Sequence, residues 1–246
     1  LCHILNLVSI RNQNLSTNQE KAHMAKEKPG KDNFTRNLVV TVVVGVLLIM
    51  LVPTLLSKKT DTSAKIPAAV SADRGYGIVF NGELTGVPVL DIYEDFQCPV
   101  CAQFEKLQGD YIESLIADKK ATVVYHTLSF LGPESVNAAN AAACSADQGK
   151  FLQYHRALYA NQPQENTGVW STDVLGILGQ AAGITSKEFT SCVNDMSYQG
   201  WVNNVAAAGA KANVNSTPTV FINGKEIDRQ SEYFDAAKFK AAVERG

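Results

Sequence analysis

Cys98 and Cys101 are separated by Pro99 and Val100, a Cys-x-x-Cys spacing that serves two different chemistries. As half of a zinc site the pair needs two more ligands, usually a second Cys-x-x-Cys or a paired histidine motif. Cys144 and Cys192 stand alone, and His126 and His155 are not in ligand spacing with them. No metal and no other cofactor is therefore expected. As a redox pair it needs a strand-to-helix junction, and the flanking residues supply one. Val87-Pro88-Val89-Leu90-Asp91-Ile92-Tyr93 is a short β-branched and aromatic run, as expected of a buried strand. After the cysteines, Val100, Phe104, Leu107, Tyr111, Ile112 and Leu115 keep helical spacing.

At that junction Cys98 is placed to act as the helix N-cap. Pro99 then takes the first helical position, where its missing N–H costs nothing. The N–H groups of Val100 and Cys101 point back at the Cys98 sulfur, and the positive end of the helix favours thiolate over thiol. Cys101, one turn inside, is shielded and within reach of a disulfide. A stable thiolate stabilises the dithiol and makes the disulfide oxidising. The expected chemistry is exchange. A substrate thiolate attacks Cys98 of the Cys98–Cys101 bridge, Cys101 leaves, and a second substrate thiol resolves the mixed disulfide.

The elements around this junction form a mixed α/β pattern. Ile78-Val79-Phe80 precedes the Asn81-Gly82 turn signal, and Thr122 to Phe130 makes another strand candidate after the helix. Strand, Cys-x-x-Cys, helix, strand is a βαβ unit with a parallel pair. From Pro133 to Ala212 the chain turns Ala-rich and amphipathic, and Gly and Pro divide it into four or five helices. Ser186 with Glu188 marks one helix start. Strand residues return at Thr217-Pro218-Thr219-Val220-Phe221-Ile222, and Asn223-Gly224 is a hairpin signal. A last helix is expected over about Phe234 to Val243. The organisation is an α/β domain over 75–131 and 213–246, split by a helical insertion over 132–212.

Leu38 to Leu56 carries no charged side chain. As a helix it spans about 28 Å, close to the roughly 30 Å hydrocarbon core. A cleaved signal needs a shorter apolar region and a small-residue cleavage site, which Thr54 to Lys58 does not offer. One uncleaved membrane-spanning helix is expected, with Pro53 near its far end. Lys21, Lys26, Lys28, Lys31 and Arg36 precede it, and Lys58, Lys59 and Lys65 follow. That excess predicts a cytoplasmic head over 1–37 and a catalytic domain on the outer side of the cell membrane. Residues 1–23 hold no Met and read as an artefact, so Cys2 is set aside. Residues 57–74 lack periodicity and read as a tether.

The chain of 246 residues is 46% hydrophobic and 19% charged, which excludes wholesale disorder. Net charge is −2, giving no electrostatic reason for a nucleic-acid partner. Five cysteines are too few for a small disulfide-stapled scaffold of this length.

Cys98-Pro99-Val100-Cys101 at a helix start, a helical insertion and Thr217-Pro218 before a strand and hairpin together resemble the DsbA family of thioredoxin-fold disulfide oxidoreductases. The nearest likeness is to the membrane-anchored DsbA-like proteins of Gram-positive, actinobacterial bacteria, over roughly 75 to 246. The resemblance implies a thioredoxin-like fold, a cis Pro218 beside the cysteines and a Thr217 backbone that binds extended substrate. It also implies two partners: exported proteins with free thiols, and a membrane quinone-linked reoxidase. A cis X-Pro at a strand entry is a deliberate feature, and an open edge beside it takes a peptide by strand addition. The alternative is an ordinary trans turn.

Two departures from that family stand out. Where many members carry His, this chain has Val100, so a weaker oxidant is expected. Where thioredoxin-like proteins often bury an acid, six residues before the first cysteine, it has Ile92. Glu94 or Asp95 substitutes on this reading, and strand alternation turns only one of them inward.

Cys144 and Cys192 remain as an even pair, and outside the membrane an even count implies a bridge; two buried free thiols are the alternative. His126 and His155 read as packing residues. The acceptor patterns at Asn33-Phe34-Thr35 and Asn215-Ser216-Thr217 are discounted, one for its inner-side location and the other for crowding the site. Three functions compete. An anchored oxidase leads, an extracytoplasmic reductase or isomerase is kept open by Val100, and a non-catalytic chaperone or binding module uses the surface around Pro218.

Overall fold

The structure, a computed structural model, describes residues 40–41 and 60–246. The span expected over 38–56 lies, apart from Val40 and Thr41, outside the described residues, as does the head over 1–37. No helix among the described residues is long and apolar enough to cross a membrane.

Six strands form one sheet among the described residues, in the order β1-β2-β4-β3-β5-β6. They are β1 (Val70–Ser71), β2 (Gly77–Phe80), β3 (Val89–Glu94), β4 (Thr122–Thr127), β5 (Thr219–Ile222) and β6 (Lys225–Glu226). β3 and β4 run parallel, Val89 opposite Thr122 through Glu94 opposite Thr127. The helix α1 (Pro99–Ala117) makes the crossover between them. Its buried positions, Cys101, Phe104, Gln108, Ile112 and Leu115, recur at helical spacing and face the sheet. The other pairings are antiparallel. All six residues of β4 are buried, because the sheet is covered on both faces there. On one side the Tyr125 ring meets Phe151 and His155. On the other, Tyr93 stacks on His126 with ring centroids 4.0 Å apart.

Between β4 and β5 come five helices: α2 (Pro133–Asp147), α3 (Phe151–Ala160), α4 (Thr172–Ala181), α5 (Lys187–Asn194) and α6 (Gln199–Lys211). Ser171 and Ser186 cap α4 and α5 by accepting from the N–H groups of Val174 and Phe189. Gly179 of α4 lies so close to Phe189 of α5 that an added Cβ would stand 2.3 Å from the ring. After the β5–β6 hairpin, with Asn223 and Gly224 both at positive φ, α7 (Ala236–Arg245) begins at Asp235, whose carboxylate accepts from Ala237 and Lys238 N–H. Phe239 of α7 packs on Phe104 and Tyr111 of α1.

Three boundaries differ from expectation. The tether expected over 57–74 is, from Thr60 onward, part of the folded unit. β1 pairs with β2, and Asn204 of α6 both accepts from the Asp61 N–H and donates to its carbonyl, each at 2.7 Å. Two paired residues are too short a run to show a period in the sequence. The strand expected to Phe130 stops at Thr127, where the chain turns so that Leu131 N–H can reach Asp95. The last helix starts at Ala236 rather than Phe234, because Asp235 is the residue with a capping side chain.

Candidate functional site

Cys98 is the N-cap of α1, in extended backbone, with Pro99 at the first helical position. Its sulfur makes no capping hydrogen bond, so the N–H groups of Val100 and Cys101 act on it only by proximity. The turn that delivers it from β3 is held from several sides. Asp95 is fully buried, and its carboxylate accepts from Gln97 N–H at 2.9 Å, Leu131 N–H at 3.1 Å and the Ser135 hydroxyl at 2.6 Å. The Asp95 carbonyl accepts from Cys98 N–H at 2.9 Å. Gln97 donates to Ser135 and accepts from Asn166 N–H. Gln162 donates to the carbonyls of Phe96 and Cys98. The helical segment between β4 and β5 thus supplies Ser135, Gln162 and Asn166 to fix a turn far from them in sequence.

Both cysteines are free thiols here, Cys98 7% exposed and Cys101 1%. The Cys98 thiol is lowered to about 6. The first cause is a hydrogen bond from the Cys101 thiol; burial opposes it, and the Thr217 side chain and the N–H groups of Cys101 and Val100 add to the lowering. The helix terminus therefore contributes, but the neighbouring thiol contributes more. Cys101 is pushed well above the ordinary thiol range, first by burial, then by donating to Cys98 and by the charges of Cys98 and Glu94. Unequal thiols of this kind divide the work of exchange into an attackable, good leaving sulfur and a protected one.

Thr217 and Pro218 come to the same place from the other end of the domain. The Thr217–Pro218 peptide is cis, Pro218 is buried, and the Thr217 carbonyl oxygen lies 3.5 Å from Cys98 Sγ, which donates to it when protonated. Val100 is 46% exposed and brings no charge to the sulfur. Cys144 and Cys192 form a disulfide joining α2 to α5, with Cα atoms 5.9 Å apart. It is not part of the Cys98 site.

The sequence reading of the acidic residues is corrected. Glu94 and Asp95 are both buried, not one of them. Alternation holds only inside a strand, and β3 ends at Glu94, so Asp95 already belongs to the turn. Ile92 is fully buried in the core. His126 packs as expected, its Nε2 3.0 Å from Asp91 Oδ1. His155 does more than pack. Its Nε2 is 2.8 Å from Glu94 Oε1, and the Tyr159 hydroxyl donates to Glu94 Oε2 at 3.2 Å. Glu105 of α1 completes a buried cluster with them. Burial raises Glu105 to about 8; Glu94 and Glu105 raise His155 to about 9 against its own burial. No local pattern announces this cluster, because it forms only when α3 docks on α1.

Residues 76–244 match the family described as Thioredoxin. Among curated proteins, the serine/threonine-protein kinase PknE of Mycobacterium tuberculosis is 30% identical over 158 residues, 58% of this chain and 28% of the kinase. The chain thus spans under a third of that relative's length. Among solved structures, the MdbA protein of Actinomyces oris, a thiol-disulfide oxidoreductase, matches with a TM-score of 0.64 and 24% identity, over 78% of this chain and 97% of that one. Reduced DsbA from Mycobacterium tuberculosis matches with a TM-score of 0.58 and 28% identity, over 69% of this chain and 91% of that one.

Proposed function

The chain belongs to the thioredoxin family, and on that premise we propose that it is a DsbA-type thiol-disulfide oxidoreductase that transfers the Cys98–Cys101 disulfide to exported proteins. The observation that carries the reading is the inequality of the two thiols: Cys98 lowered to about 6 and placed beside Thr217, Cys101 buried and raised. In the oxidised protein a substrate thiolate attacks Cys98 Sγ, the Cys98–Cys101 bond breaks, and Cys101 leaves and takes a proton. A second substrate thiolate then attacks the substrate sulfur of the mixed disulfide and expels the Cys98 thiolate. The substrate has lost two electrons and the protein holds the dithiol. The backbone beside Pro218 aligns an extended substrate by strand addition. A membrane quinone-linked partner takes the two electrons and restores the disulfide.

We place this domain on the outer side of the cell membrane, anchored through 38–56. The uncharged stretch, the lysine excess before it and the Cys144–Cys192 disulfide, a bond typical of oxidising compartments, support that placement. Protease accessibility of the domain in intact cells tests it.

Refolding of a reduced disulfide protein tests the function. Disulfide transfer should vanish with Cys98→Ala, and undiminished activity in that variant would overturn the reading in favour of a binding module. The uncharged Val100 favours a second reading, a reductase or isomerase. A redox titration separates the two, since an oxidase lies well above the thioredoxin value near −270 mV.

A further inference from the structure

Glu94 at the end of β3, Glu105 on α1 and His155 on α3 bring ligand atoms of two carboxylates and an imidazole within 4.8 Å of one another. Their side chains are 1%, 9% and 3% exposed. Glu94 is already engaged through both oxygens, one to His155 Nε2 and one to Tyr159. With the Nε2 proton directed at Glu94, the other ring nitrogen, Nδ1, faces Glu105 Oε2 at 4.0 Å. The second oxygen of Glu105, Oε1, is buried without a hydrogen-bond partner.

A cavity of about 570 Å³ adjoins the pair, lined by Glu105, His155, Glu113 and Arg156 among others. The Arg156 guanidinium is occupied at its rim by Glu113 at 2.7 Å and Asp110 at 3.2 Å. Two carboxylates and one imidazole buried together take up positive charge, as a proton on the imidazole or as a cation in its place. A proton between Nδ1 and Oε2 would draw them to roughly 2.8 Å, the length of a charge-assisted hydrogen bond. The observed gap of 4.0 Å is wider than that, and nearer the roughly 3.3 Å that separates two ligand atoms of a tetrahedral zinc ion with bonds of about 2.0–2.1 Å.

We propose that His155 Nδ1 and the Glu105 carboxylate ligate a divalent transition-metal ion of the zinc class, with Glu94 as the carboxylate that orients the imidazole. An imidazole in the ligand set selects this class over calcium and magnesium, which take oxygen ligands. Glu94 accepting from Nε2–H is the outer partner that metal-bound histidines ordinarily have. Waters in the cavity complete the coordination. Glu105 lies four residues beyond Cys101 on α1, so the ion clamps the redox helix to α3. The site does not depend on the redox role of Cys98.

The test uses the metal-stripped full chain with Cys98 and Cys101 oxidised, which withdraws their thiolates as ligands. Calorimetric titration with zinc chloride should give one saturable site. Glu105→Gln and His155→Gln, each near in shape to the original, should weaken it at least tenfold, while Asp110→Asn leaves it unchanged. Near-ultraviolet circular dichroism reports whether the variants keep their packing. If they do not, cobalt(II) on the unmodified chain decides. Visible d–d absorption without a thiolate charge-transfer band supports the site. No visible absorption, or a thiolate band, overturns it. Absence of saturable zinc binding, binding unchanged in the folded variants, or equal affinity for calcium also overturns it.

Discussion

The Cys98 sulfur lies 3.5 Å from the carbonyl oxygen of Thr217, a residue 119 positions later in the chain. This contact puts the Cys98 sulfur at the entry of β5, beside the cis Thr217–Pro218 peptide. On the proposed function, a substrate cysteine aligned beside Pro218 meets Cys98, 7% exposed, before Cys101, 1% exposed.

Cys98 should titrate near pH 6 in the reduced protein, measured by thiolate absorbance or by the pH dependence of alkylation. Its thiol is lowered on folding, so the reduced fold gains stability that is fully present above the free-thiol value near 8.5 and is lost as pH falls through about 6. Between those values the reduced form should gain on the oxidised form in urea unfolding as pH rises. A midpoint at or above 8.5 would remove the basis for an oxidising disulfide.

Val100→His should make the protein a stronger oxidant. A half-exposed imidazolium one residue before Cys101 adds a positive charge beside the Cys98 thiolate, partly screened by solvent. An additional lowering of about one unit is expected, equivalent to about 30 mV in a two-electron couple. Equilibration against glutathione measures it. An unchanged potential would mean that position 100 does not face the sulfur.

The redox pair was legible because its geometry is local. Cys98-Pro99 at a strand-to-helix junction dictates an N-cap and a first-turn neighbour whatever the rest of the chain does. Asn223-Gly224 likewise specifies its own hairpin. What was illegible depends on docking. Gln162 and Asn166 hold the turn before Cys98, yet they are unremarkable polar residues until α3 and the loop after it meet that turn. His155 looked like one more residue of an amphipathic helix, since nothing near it in sequence indicates Glu94 or Glu105. The Cys101 thiol is the first cause of the lowered Cys98, ahead of the helix N–H groups, and it acts through the placement of one buried thiol beside the other, which spacing alone does not give.

The Cys144–Cys192 bridge should resist alkylation when the protein is unfolded without reductant, so mass spectrometry should find no label at either position. Cys144→Ala with Cys192→Ala releases a loop with a sequence separation of 48 and should cost about 4 kcal/mol of stability in the chain-entropy model. Exchange by Cys98 should persist in the folded fraction, because the bridge joins α2 and α5 and takes no part in the site.

Asp95→Ala should damage both stability and reactivity, in a way that separates the turn from the cysteines. The carboxylate satisfies Gln97 N–H, Leu131 N–H and the Ser135 hydroxyl, all around a fully buried side chain. Removing it strands donors that each cost about 1–3 kcal/mol when unpaired, so a loss of roughly 3 kcal/mol is expected once water has relieved part of the burden. The same turn positions Cys98, whose N–H is bound by the Asp95 carbonyl, and a loosened turn lets the sulfur drift from Thr217 and from the Cys101 thiol. Alkylation of Cys98 should then shift to higher pH in folded Asp95→Ala protein. Ser135→Ala removes one donor from the same carboxylate and should shift it less. An unchanged Cys98 titration in Asp95→Ala would show that the N-cap holds its position without this turn.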